Sequence, residues 1–148
     1  MIPKPDSDGN LPPGIHTATW AELSAEFGKS PYRKGLLDGL YRAAQELKKA
    51  GCATLYVDGS FVSTKDQPGD FDGCWEPTGV NASQLDPVLL DFRPGRVAQK
   101  VKYNGELFPS TAQAEAQPPH RTFLDFFQND KSTGQPKGII AIDLRRLP

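Results

Sequence analysis

The clearest periodic stretch of the chain lies between Ser30 and Gly51. There Leu36, Leu37, Leu40, Tyr41, Ala44 and Leu47 recur at helical spacing, giving one apolar face. Ser30 followed by Pro31 supplies the start of that helix, and Lys48, Lys49 and Gly51 supply its stop. A shorter helix is predicted before it, because Thr19-Trp20-Ala21-Glu22 has the form of a capping box and Gly28 ends the segment. The period then changes. Ala53 to Asp58 is strand-like and turns at Gly59-Ser60. Residues 61–69 read as a loop or short helical turn closed by Pro68-Gly69, and Asp70 to Trp75 as a second strand, antiparallel or mixed with the first.

The rest of the chain is built of shorter pieces. Asn81-Ala82-Ser83 offers a cap for a helix through about Leu90, and a second helical piece follows Pro94, from Gly95 to Val101. Lys102 to Pro109 reads as a third strand, with Glu106 and Phe108 on one face and Leu107 on the other. Residues 110–119 are small and polar and read as a loop. Thr122-Phe123-Leu124-Asp125 is a second capping-box candidate, opening a helix through Gln128. After a turn region from Asp130 to Gly138, Ile139 to Leu144 forms a last apolar strand. Residues 1–18 are rich in Pro, Gly and Asp and read as an irregular arm packed through Leu11, Ile15 and His16. No repeat or domain boundary appears. The expected architecture is a single α+β domain over residues 1–148: a small mixed β-sheet with a long helix before it and short helices packed on it.

Composition narrows the classes. A chain of 148 residues with 37% hydrophobic and 24% charged residues fits one soluble domain able to bury a real core. Fourteen prolines and fourteen glycines predict many loops. A net charge of -1 gives no global pull toward nucleic acid or a membrane, so a nucleic-acid substrate would need a local patch. The two cysteines, Cys52 and Cys74, form neither a disulfide framework nor a zinc-ligand spacing, and are expected as buried thiols in a reducing compartment. No run resembles a signal peptide or could span a bilayer, so the expected location is the cytoplasm, with no membrane partner.

Candidate chemistry concentrates between Tyr56 and Trp75. Asp70 and Asp72, one residue apart on a strand, project to the same face. Two carboxylates side by side call for a cation between them, and a hard divalent metal with oxygen ligands suits them. The Gly59-Ser60 turn offers backbone N–H groups and a hydroxyl to a phosphate. Lys65, in the loop between the two halves, is within reach of a phosphate oxygen. Lys131 and Lys137 flank the Gly134 turn and read as a hydrophilic loop able to touch a polyanion. His16 and His120 sit beside prolines and read as surface or capping residues.

The pattern apolar-Asp-Gly-Ser, nine residues, Asp-Phe-Asp resembles the signature of the nucleotidyltransferase superfamily, which has the polymerase-beta-like fold; Gly59-Ser60 and Asp70-Phe71-Asp72 carry the match. Further stretches at residues 11–16, 58–65, 68–72, 123–128 and 136–140 make the chain similar to a group of small uncharacterised bacterial proteins placed in that superfamily. The resemblance implies a third carboxylate on a later strand, for which Glu106 is the first candidate and Asp143 the rival. It also implies Mg²⁺-dependent transfer of an NMP from an NTP to a protein or RNA hydroxyl, with two ions held by Asp70, Asp72 and Glu106 and the phosphates held by Gly59, Ser60 and Lys65. Glu106 would lower the pKa of the attacking hydroxyl or accept its proton. The setting implied is a toxin–antitoxin or phage-defence pair with a protein partner. The alternative is a non-catalytic module of the same fold that acts through a protein partner, using the arm and residues 110–119 as contact surfaces. A further reading is a metal-dependent hydrolase using the same acids.

Overall fold

The computed structural model describes residues 2–148. Its centre is a five-stranded open sheet formed by β1 (Gly14–Ala18), β2 (Thr54–Asp58), β3 (Phe71–Trp75), β4 (Gly105–Pro109) and β5 (Gly138–Asp143). The strand order is β1-β5-β2-β3-β4; β2 runs antiparallel to β3 and β5, while β1 pairs with β5 and β3 with β4 in parallel. The sheet is therefore mixed and the fold is α+β.

One face of the sheet packs on α1 (Trp20–Phe27) and α2 (Pro31–Lys49). Leu55, Val57, Phe71, Trp75, Leu107, Ile140 and Ile142 meet Leu36, Leu37, Leu40, Ala44 and Leu47 there in one continuous core. Both helix starts follow from their caps. Thr19 and Glu22 satisfy each other's end of α1 in a reciprocal capping box, and Ser30 accepts from the Arg33 amide with Pro31 in the first turn of α2. Gly39 lets α3 (Val97–Tyr103) lie close against α2, because a Cβ there would sit 1.9 Å from the Tyr103 carbonyl oxygen. The other face carries a smaller cluster, where α4 (Phe123–Phe127) covers Cys74 and Ile139.

Several expected boundaries move. The arm is not irregular throughout: residues 14–18 form the edge strand β1, and Leu11, 1% exposed, anchors the segment before it, while Ile15 lies open at 45%. The helix expected over 83–90 shrinks to a 3₁₀ turn, Pro87–Leu90. Pro87 disfavours helical backbone at Asp86, which caps the turn instead, and Asn81 spends its side chain on Ser83. The helix expected from Gly95 starts at Val97, because Gly95 and Arg96 both have positive φ. The third strand starts at Gly105 rather than Lys102, since Asn104 ends α3 in the left-handed region. No helix among the described residues is long and apolar enough to cross a membrane.

Candidate metal centre and phosphate cleft

The ends of β2, β3 and β4 meet in one row. Asp58 is the register partner of Asp72, and Asp72 of Glu106, so three carboxylates stand side by side on the face away from the main core. Asp70, just ahead of β3, projects to the same side. One oxygen each from Asp70, Asp72 and Glu106 lies within 4.8 Å of the others. The structure thus brings together the two aspartates and the first candidate for the third acid. Asp143 lies at the far end of β2, opposite Thr54, where it caps the last 3₁₀ turn and pairs with Arg145 at 2.9 Å.

The four acids are not equally provided for. Asp58 is 3% exposed, and Lys137 answers it with Nζ at 3.3 Å. Burial raises its pKa, opposed by Lys137 and the Gly59 amide. Burial also raises Asp70, with Glu106 adding to the effect and Lys100 and Lys131 opposing it. Asp72 is pushed up to about 7, by burial first and then by Asp70, Glu106 and Asp58, with Lys131 pulling the other way. Glu106 is matched by Lys100 at 2.9 Å and Arg96 at 3.2 Å. Asp72 is the carboxylate in the row with the least nearby compensation.

Gly59 turns the chain at φ +82°, and a Cβ there would sit 2.8 Å from Asp72 Oδ2, so only glycine lets the turn lie against the acids. Ser60 opens a 3₁₀ turn, Ser60–Val62, and the loop beyond it is held from beneath by Arg33. That guanidinium, on a residue 7% exposed, donates to the carbonyls of Phe27 (3.2 Å), Phe61 (2.7 Å), Ser63 (3.1 Å) and Lys65. The turn borders a cleft of about 470 Å³ whose walls include Gly59, Ser60, Lys65, Asp72, Lys131 and Lys137. A second hollow of about 510 Å³, lined by Tyr32, Asp70, Lys100 and Asn104, opens beside Asp70. The carboxylates therefore stand between a lysine-walled cleft and a second opening.

Other residues singled out in the sequence lie elsewhere. His16 contacts the Pro12 carbonyl at 2.6 Å, and His120 faces Gln113 and Glu115. Cys52 and Cys74 are free and buried, and burial raises both thiols, Cys52 to about 11. Sequence reasoning passed over Asp58, Arg33, Arg96 and Lys100 as site residues. Asp58 was recoverable from strand parity, since it shares a face of β2 with Tyr56. Arg96 and Lys100 stand four residues apart, the spacing that puts two side chains on one helical face, but the partner they share lies on β4.

No curated protein and no solved structure matches this chain. A family of unknown function, DUF6932, does match, over residues 3–143, and the chain belongs to that family.

Proposed function

We propose that the protein is an Mg²⁺-dependent nucleotidyltransferase of the polymerase-beta-like superfamily, moving an NMP from an NTP to a protein or RNA hydroxyl. The observation that carries this reading is the convergence of Asp70, Asp72 and Glu106 within 4.8 Å beside the Gly59-Ser60 turn. The donor set fits a hard divalent ion: the three ligands are carboxylate oxygens, and Asp72 is pushed up to about 7 by burial and by the carboxylates around it. Asp70, Asp72 and Glu106 would hold the metal, which when bound supplies charge neutralisation for the transferring phosphoryl group.

The remaining roles fall to the chain itself. Gly59 and Ser60 line the lysine-walled cleft, where Lys65, Lys131 and Lys137 would offer counter-charge to the β- and γ-phosphates. The acceptor hydroxyl would approach from the hollow beside Asp70. Its oxygen bonds to the α-phosphorus, the bond to the bridging oxygen of the β-phosphate breaks, and pyrophosphate leaves. The hydroxyl proton passes to a carboxylate of the triad. A toxin–antitoxin or phage-defence setting with a protein partner remains part of this proposal.

The test is incubation of the full chain with Mg²⁺ and α-labelled NTPs in the presence of tRNA or protein acceptors. Labelled product is expected, and it should vanish when Asp70 and Asp72 are both replaced by alanine. Labelling that survives the double substitution overturns the reading. A second reading, a non-catalytic module acting through a partner, is favoured by an exposed apolar group on the same segment as the Glu106 cations: Leu90, Phe92, Val97 and Val101 are 41–79% exposed. Calorimetry separates the two, because a non-catalytic module need not bind Mg²⁺-NTP and tight Mg²⁺-dependent binding counts against it. The arm is a poor contact surface for the second reading, since it is tied into the sheet and to the loop bearing Lys65.

A further inference from the structure

Glu106 is the one triad carboxylate that already has cations of its own. Its Oε1 takes Lys100 at 2.9 Å and its Oε2 takes Arg96 at 3.2 Å, so both oxygens are engaged. Arg96 sits just ahead of α3 as its N-cap and Lys100 in the middle of the helix, and both remain partly open, their side chains 33% and 43% exposed. They can therefore move away without unpacking the core.

The backbone at Arg96 is unusual. It adopts φ 47°, ψ 42°, the left-handed region that a residue with a side chain enters only at a cost. What it gains there is the contact with Glu106, together with a guanidinium placed 5.7 Å over the Phe108 ring. Strain kept at a site marks a contact that the surrounding fold enforces. Lys100, one turn further along α3, also feels Asp70. Its ammonium thus stands beside two of the three carboxylates that would hold an ion.

Charge balance gives the consequence. Above pH 7, where Asp72 too is ionised, three carboxylates against two cations leave the empty cluster one charge negative. A divalent ion added to the same set makes it one charge positive. The arrival of metal therefore works against the Glu106 ion pairs, and those ion pairs work against the metal.

We propose that Arg96 and Lys100 form a resident cation pair that competes with the divalent ion for Glu106 and is released from it when the ion binds. This rests on the metal site of the proposed function. The pair keeps the metal-free cluster from repelling itself apart, lowers its affinity for an ion arriving alone, and on release presents two unpaired cations beside the ion, where an anionic phosphate completes the balance. Arg96 and Lys100 are on this account positioning residues acting through Glu106.

The experiment is titration of the full chain with Mn²⁺ alone, followed by calorimetry and by the paramagnetic signal of free Mn²⁺. Lys100→Met, and separately Arg96→Gly, which removes the cation and the backbone strain together, should each tighten Mn²⁺ binding about two- to fivefold, the worth of one partly exposed ion pair. In a Glu106→Gln background the Lys100→Met change should lose most of its effect, keeping only what its charge exerts on Asp70, because the shared partner is gone. Circular dichroism confirms that each variant is folded, and the two variants fail independently. Unchanged or weaker Mn²⁺ binding in the folded variants overturns the exchange, since cations that merely orient Glu106 would help the metal. The proposed function fails in a different way: the unsubstituted chain would then show no Mn²⁺ binding that depends on Asp70 and Asp72.

Discussion

Two rows of side chains lie next to each other on the same face of the sheet, one strand repeat apart. The first is Asp58, Asp72 and Glu106; the second is Tyr56, Cys74 and Phe108. The same three strands hold both in register, yet the chemistry of the rows is opposite. The second row is closed over by α4, with Phe108 and Phe123 stacked at 4.0 Å and Phe127 5% exposed beside them. The first row borders the lysine-walled cleft, with only Arg96 and Lys100 reaching its Glu106 end from α3 and its cap. One row contributes to the fold, and the other is tolerated by it. The site is reachable because the aromatic cover stops one row short.

That contrast can be broken at either row. The largest effect should come from Phe127→Ala, which empties the centre of the aromatic cover and should cost about 3 kcal/mol in urea denaturation. A loss below about 1 kcal/mol would mean that α4 is an ornament on the sheet rather than its cover.

Lys137→Met should come next, at roughly 2–3 kcal/mol near neutral pH, because it leaves Asp58 buried without its counter-charge. Adding Asp58→Asn to the same chain should restore most of the loss, and an additive double variant would contradict the pairing.

Asp72→Asn should have the opposite sign. A carboxyl raised to about 7 in the folded chain, against roughly 4 unfolded, stabilises the fold fully only below pH 4 and loses that contribution as pH rises through 7. Without metal, the asparagine variant should therefore be more stable than the parent by about 1–2 kcal/mol at pH 8, with the gap closing toward pH 4. Thermal melts across that range decide it. A constant gap would show that the first row carries no charge strain.

Local chemistry was readable where its cause lies within a few residues. The reciprocal Thr19–Glu22 cap, the Ser30-Pro31 start and the Thr122 cap each depend on neighbours three positions away, and each forms. The pairing of Asp70 with Asp72 is strand parity and needs nothing distant. Glu106 was reachable because a strand was expected around it. The edge strand β1 was not, because Gly14-Ile15-His16-Thr17-Ala18 has no alternation of its own and is organised by β5, more than a hundred residues later. The turn over 81–90 misled for the reverse reason: a good cap at Asn81 precedes a proline that forbids the helix it advertises. Lys137, Arg33 and the Arg96–Lys100 pair stayed hidden because an ion pair across elements leaves no spacing in the sequence.

The strand order has a consequence for how the site comes into being during synthesis. β5 occupies the slot between β1 and β2, although it is made after both. While the ribosome is still short of residue 138, β2, β3 and β4 can already zip together, whereas β1 has nothing to pair with. Lys137 emerges with β5. A nascent chain thus carries its carboxylate row before it carries the lysine that quiets Asp58, and the last strand to appear joins the sheet and completes that electrostatic balance in one event.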